Sequence, residues 1–191
     1  MAIVVAGLVL FAAVIFVSLL SQSGAISAQN ATVQSNATTQ AFVTYVNPKY
    51  PFSFQYPQNW LVKEQSNSVW FTSPADSSGN VRIDCDPVLD QNLTNLVDVQ
   101  LDELASTFKD FKKINSNTTT LGGVEANTTN FSYGMEELIL FSTNIVKFNG
   151  MLTSALKGDN FCTVFYFSTP EFFDIYLPIV QKMIGSLKWS A

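Results

Sequence analysis

The stretch Phe161-Cys162-Thr163-Val164-Phe165-Tyr166-Phe167 is apolar at nearly every position, and this most constrains the fold. Successive side chains of a strand point to opposite faces, so a strand without a polar face must be covered on both sides. The segment therefore predicts a sheet with helices on two sides. Short runs elsewhere supply the remaining strands. Phe42 to Val46 and Phe52 to Tyr56 read as strands with a turn at Asn47-Pro48 between them, the alternation of the second putting three aromatics on one face. Further strands are expected at Leu61 to Gln65, Ser68 to Thr72 and Val81 to Asp86, then at intervals from Asn115 to Phe167. Gly122-Gly123, Asn149-Gly150 and Gly158-Asp159 are the expected turns.

Two helices complete the pattern. Leu93, Leu96, Val97, Leu101, Leu104, Ala105, Phe108 and Phe111 recur at helical spacing and predict one long amphipathic helix. A second is opened by Thr169-Pro170-Glu171 and faces inward through Phe172, Tyr176, Ile179, Val180, Met183, Ile184 and Leu187, with a break or kink expected near Leu177 because of Pro178. The fold class is α+β: an antiparallel sheet sandwiched between helices as an α/β/α arrangement, preceded by an N-terminal hydrophobic helix.

That leading helix is read from Ala2 to Leu20, nineteen uncharged positions with one hydroxyl, Ser18. At 1.5 Å per residue it spans roughly 28 Å, enough to cross a bilayer. Residues 1–20 are thus a transmembrane anchor, or a signal peptide cleaved at Ser23-Gly24-Ala25 or Ile26-Ser27-Ala28. Residues 21–41 carry no charge and no aromatic ring and read as a flexible Ser/Thr/Asn/Gln tether. Residues 42–190 form one folded domain.

The chemistry of the chain points outward across a membrane. Asn-X-Ser/Thr, the N-glycosylation acceptor, occurs at Asn30, Asn36, Asn92, Asn117, Asn127 and Asn130. One or two such triplets would arise by chance in an Asn- and Thr-rich chain; six favour export. The two cysteines, Cys85 and Cys162, are an even count, and export would place them in an oxidising compartment where they form one disulfide. Closing a loop of 77 positions would restrict the unfolded chain by about 4 to 5 kcal/mol. The alternative is a pair of buried free thiols.

Composition removes several functions. Histidine is absent, which excludes a Ser-His-Asp triad, a Cys-His pair and imidazole metal ligation. Ten cations against fifteen acids, with Arg82 the sole arginine, argue against nucleic-acid binding. Asp84, Asp86 and Asp90 are a weak Ca²⁺ candidate. The EF-hand pattern fails, since Leu89 stands where Gly is needed and Asn95 where Glu is needed, so a solvated acidic edge is the preferred reading. Glu136 and Glu137 are strand neighbours pointing to opposite faces, which precludes a paired acid and base. Tyr56, Trp60 and Trp70, with Trp189, form a candidate ligand surface, weighed against ordinary core packing.

The stretch Val46-Asn47-Pro48-Lys49-Tyr50-Pro51-Phe52-Ser53-Phe54-Gln55-Tyr56-Pro57-Gln58-Asn59-Trp60 resembles the opening of PsbP-like domains, an aromatic hairpin ending Tyr-Pro-x-x-Trp. Tyr166 to Glu171 and Tyr176 to Lys188 are similar to the last strand and helix of that family, so the resemblance covers Phe42 to Trp189. It implies an antiparallel sheet between helices, a fold shared by the extrinsic photosystem II protein and a nuclear Ran-GTPase cofactor. Both motifs are structural and carry no reaction. The photosystem protein supports calcium and chloride retention through basic residues and, in some accounts, histidine sites; this chain has no histidine and a net charge of -5, which points away from that service. With its apolar leader and many acceptor triplets it looks like archaeal-type exported relatives. The expected function is a non-enzymatic, exported accessory domain, anchored in the membrane by its leader or secreted, acting by protein binding at the outer face. The alternative is a small-ligand or Ca²⁺-binding extracytoplasmic module; otherwise no cofactor is expected.

Overall fold

A computed structural model describes residues 40–50, 52–74, 78–139 and 142–190. The predicted leader helix, Asn30, Asn36 and all of the tether before Gln40 lie outside the described residues. Among those described, no helix is long and apolar enough to cross a membrane.

The strands in chain order are β1 (Phe42–Val46), β2 (Phe52–Pro57), β3 (Leu61–Glu64), β4 (Ser68–Thr72) and β5 (Asn80–Pro87). After α1 (Leu93–Thr107) come β6 (Lys109–Leu121), β7 (Val124–Ile139), β8 (Ser142–Lys157) and β9 (Asn160–Ser168). Helix α2 (Pro170–Gly185) and the short β10 (Lys188–Trp189) follow. β3 to β9 make one antiparallel sheet in the order β3-β4-β5-β9-β8-β7-β6, and β1-β2-β10 make a second, three-stranded one. The second sheet departs from the sequence reading, which expects one sheet holding β1 and β2 and no strand at Lys188–Trp189.

Both faces of the large sheet are covered, as the two-sided strand requires. On one face Val97, Leu101 and Leu104 of α1 pack with Phe131, Tyr133, Leu152, Phe161 and Phe165. On the other, Phe52 and Phe54 of the small sheet and Phe173, Val180 and Met183 of α2 pack with Val69, Ile83, Val164 and Tyr166. β9 thus sends Phe161 and Phe165 to one core and Cys162, Val164 and Tyr166 to the other. Cys85 and Cys162 are direct partners across β5 and β9 and are joined by a disulfide buried in the α2-side core.

Three local expectations are corrected. Asn149-Gly150 is no turn: it lies inside β8, with Gly150 opposite both Phe131 and Phe167. α1 ends at Thr107, earlier than the apolar spacing implies. Ser106 and Thr107 turn their hydroxyls back to the Glu103 carbonyl, Phe108 is extended, and Phe111 belongs to β6. Ala105, expected in the packed stripe, is exposed. In α2 the helical run is unbroken through Pro178, and Phe173 is buried where Phe172 is only partly so. Pro178 and Asp174 are both exposed, so the Asp174 carbonyl, which loses its helical donor at Pro178, is left on the solvent side of α2.

Candidate functional site

Helix α1 rests chiefly on β6, β7 and β8, three of the seven strands, so it roofs less than half of its face of the sheet. Beyond its edge a row of side chains crosses five adjacent strands: Trp70 on β4, Arg82 on β5, Phe167 on β9, Phe148 on β8 and Tyr133 on β7. They share a face because their registers align. Trp70 opposes Arg82, Phe167 stands one pleat from the Arg82 partner Phe165, and Phe148 opposes Tyr133.

The rings form a continuous contact. Trp70 meets Phe167 edge-on at 6.1 Å, Phe167 meets Phe148 at 6.3 Å, and Phe148 stacks on Tyr133 at 5.4 Å. Phe108, at the end of α1, lies 4.3 Å from Tyr133 and closes the row against the helix. Tyr133 is buried, whereas Trp70, Arg82, Phe148, Phe167 and Phe108 are half-buried and still reach solvent. Leu61 and Lys63 of β3 pair with Thr72 and Trp70 and extend the same face to the sheet edge, both exposed.

One charged pair is set into this surface. Arg82 donates from Nε and Nη2 to Asp84 Oδ1 at 2.9 and 2.6 Å, and its guanidinium lies 5.3 Å from the Trp70 ring centre. Asp84 is 8% exposed. Burial pushes its carboxyl up to about 6 despite the opposing pull of Arg82, and the neighbouring Asp86 adds to the rise. The Trp70 indole N–H is buried and meets no acceptor among the described residues.

The sequence-derived sites fare differently. Asp84 is no member of a solvated acidic edge; it is buried against Arg82 on the same face of β5, an inner strand flanked by β4 and β9. Asp86 instead accepts from Asn67 Nδ2 at 3.0 Å, and Asp90 occupies a left-handed turn position (φ 50°) after β5. Among the described residues no group of three acidic or cysteine side chains is placed to hold a metal ion. Tyr56, Trp60 and Trp70 do not form one surface. Trp60 is buried beside Tyr176 and Tyr56 packs on Phe71, both on the α2 side, whereas Trp70 is on the α1 side. Trp189 donates to the Leu121 carbonyl at 2.9 Å and packs on Phe52. Glu136 and Glu137 lie on β7, where Glu136 reaches Lys109 at 3.4 Å on the surface.

The residues that the sequence reading missed are Phe148, Phe167 and Arg82 as neighbours of Trp70. The alternation within each strand held the signal, but treating Asn149-Gly150 as a turn severed β8 and concealed the register that aligns Phe148 with Phe167.

A concavity of about 150 Å³ lies between the first turns of α1 and the β6–β7 hairpin, lined by Thr94, Asp98, Lys113, Ser116, Glu125 and Asn127. At its wall the Ser116 and Thr129 hydroxyls donate to Asn127 Oδ1 at 2.9 and 3.0 Å.

No protein-family model matches the sequence, and no curated protein matches it. Solved structures do. The cyanobacterial PsbP protein CyanoP from Synechocystis aligns with a TM-score of 0.60 at 14% identity, over 89% of this chain and 98% of its own. The Ran-binding protein Mog1p from Saccharomyces cerevisiae gives 0.55 at 8%, over 79% of this chain and 96% of its own. LpqN from Mycobacterium tuberculosis, described as involved in cell envelope biogenesis, gives 0.54 at 11%, over 80% and 86%. The chain therefore has the PsbP-like fold, mostly antiparallel sheet with two helices, as the two quoted sequence motifs implied.

Proposed function

We propose that this PsbP-like chain is an exported accessory domain, anchored in the membrane or secreted, that works without catalysis by binding a protein partner at the outer membrane face. The observation that carries the reading is the row Trp70, Arg82, Phe167, Phe148. Aromatic residues and arginine are the side chains that dominate protein–protein hot spots, and here they stand together, partly exposed, on adjacent strands of one sheet. A protein is the fitting occupant because the row is broad rather than enclosed and crosses several strands, which suits a flat partner surface more than a small molecule. Export is supported by the buried Cys85–Cys162 bond, which an oxidising compartment preserves, and by the likeness to an envelope protein such as LpqN.

Cross-linking mass spectrometry on native membranes tests this directly. The expected result is one reproducible partner cross-linked through Lys63, which flanks Trp70 on the neighbouring strand. Absence of any reproducible partner across several growth conditions would overturn the proposal.

A further inference from the structure

Four of the six Asn-X-Ser/Thr triplets lie within the described residues, and the folded domain treats them unequally. Attachment of a sugar needs the asparagine Nδ2 and its hydroxyl partner two residues on to be reachable together.

At Asn92 both are exposed. Its Oδ1 caps α1 by accepting the Asn95 N–H at 2.9 Å, which leaves Nδ2 as the unused end of the amide, and Thr94 is exposed. At Asn117, on β6, Asn117 and Thr119 are again both exposed, and the Asn117 side chain makes no hydrogen bond among the described residues. Asn127 differs. It is half-buried at the cleft wall, its Oδ1 is held by two hydroxyls, and one of these is its own triplet's Thr129, 1% exposed. Asn130 is half-buried too, spends Nδ2 on Asn115 Oδ1 at 2.8 Å, and is followed by Phe131, which has no exposed surface.

Resting on the export reading above, we infer that the folded domain carries N-linked glycans at Asn92 and Asn117 and none at Asn127 or Asn130. The donor class is a glycan held on a polyprenyl phosphate or diphosphate. Asparagine Nδ2 forms a bond to the anomeric carbon, the bond from that carbon to the phosphate oxygen breaks, the lipid phosphate leaves with the electron pair, and one Nδ2 proton passes to a base of the transferase. Neither acceptor loses a structural bond in the process, because the Asn92 cap uses the oxygen.

The two sites stand on opposite faces of the sheet: Asn92 opens α1, whereas Asn117, between the cleft-lining Ser116 and Thr118 on β6, points away from α1. Leu93 and Thr94, next to Asn92, line the same cleft as Ser116 and Thr118, which flank Asn117 in sequence. β6 is the last strand of the large sheet, and its outer edge offers backbone groups to any passing strand. A hydrated glycan on Asn117 screens that edge. The aromatic row, which runs from β4 to β7, lies on the α1-side face, opposite the one Asn117 points to, and stays uncovered.

The test is glycopeptide mass spectrometry on the full chain purified from its native membrane or medium, together with Thr119→Ala, an exposed change that removes one triplet and leaves Asn117 in place. The expected result is sugar on Asn92 and Asn117 and bare Asn127 and Asn130. The variant should lose one glycan's mass and self-associate more strongly in size-exclusion chromatography with light scattering. Sugar on Asn127 or Asn130 overturns the inference, as does an exported chain bare at Asn92 and Asn117. If protease protection also finds the chain in the cytosol, bare at Asn30 and Asn36 as well, the export reading falls with it.

Discussion

Gly150 faces the ring of Phe131 across β7 and β8 so closely that a Cβ on Gly150 would stand 2.6 Å from Phe131 Cε2. Phe131 has no exposed surface and contacts Phe111, Tyr133 and Phe165, so it has nowhere to move. Gly150→Ala should therefore cost about 1 to 3 kcal/mol, the usual penalty for overpacking a filled core. Urea denaturation measures it, and a midpoint unchanged from the parent would show that the ring gives way freely.

Removing the cross-strand bond should cost more. Cys85 and Cys162 close a 77-residue separation, for which chain entropy gives about 4 to 5 kcal/mol and typical measurements about 2 to 4. Cys85→Ala with Cys162→Ala keeps the site apolar, so its denaturation midpoint should match that of the parent under strong reductant. Equal stability of oxidised and reduced parent would contradict this.

Asp84 sets a pH dependence of defined sign. Its carboxyl rises from 3.8 to about 6 on folding, so the folded state favours the protonated form. The associated stability is fully present below pH 4 and is lost as pH rises through about 6, a change on the order of 3 kcal/mol. Asp84→Asn should flatten the difference between parent stabilities at pH 4 and pH 7. Chemical denaturation at both values reads it; parallel curves for parent and variant would refute the assignment.

Trp70→Ala and Phe148→Ala should each weaken partner capture at least tenfold, the scale of an interface hot spot. Both side chains are half-buried, so the fold should survive their truncation. Circular dichroism confirms the fold, and pull-down from solubilised membranes reads the binding. Undiminished capture by both variants would move the contact surface elsewhere.

Much of the architecture was legible because it depends on local rules. The turn at Gly122-Gly123 has both glycines at positive φ (59° and 81°), and Gly158 likewise turns at 57°, as glycine pairs and Gly-Asp suggest. The two-faced character of Phe161 to Phe167 implies helices on both sides, and α1 and α2 cover those faces. Asn149-Gly150 misled because a glycine demanded by a neighbouring ring looks the same in sequence as one demanded by a turn. Phe108 and Phe111 continue the helical spacing by coincidence: their partner is β7, whose register lies far along the chain. Asp84 was misplaced for the same reason. A period of two assigns it to the face opposite Cys85, correctly, but says nothing of what lies above that face. The separation of Trp70 from Tyr56 and Trp60 follows from sheet order, which strand spacing does not encode.

The bond between β5 and β9 also imposes a waiting time. At roughly 5 to 20 residues per second of synthesis, the 77 positions from Cys85 to Cys162 take about 4 to 15 seconds to appear. Throughout that interval Cys85 has no cysteine of its own chain to join, since the sequence contains two in all. On the export reading proposed above, the nascent thiol is open to capture by foreign sulfur, and correct oxidation depends on timing rather than on choice among partners.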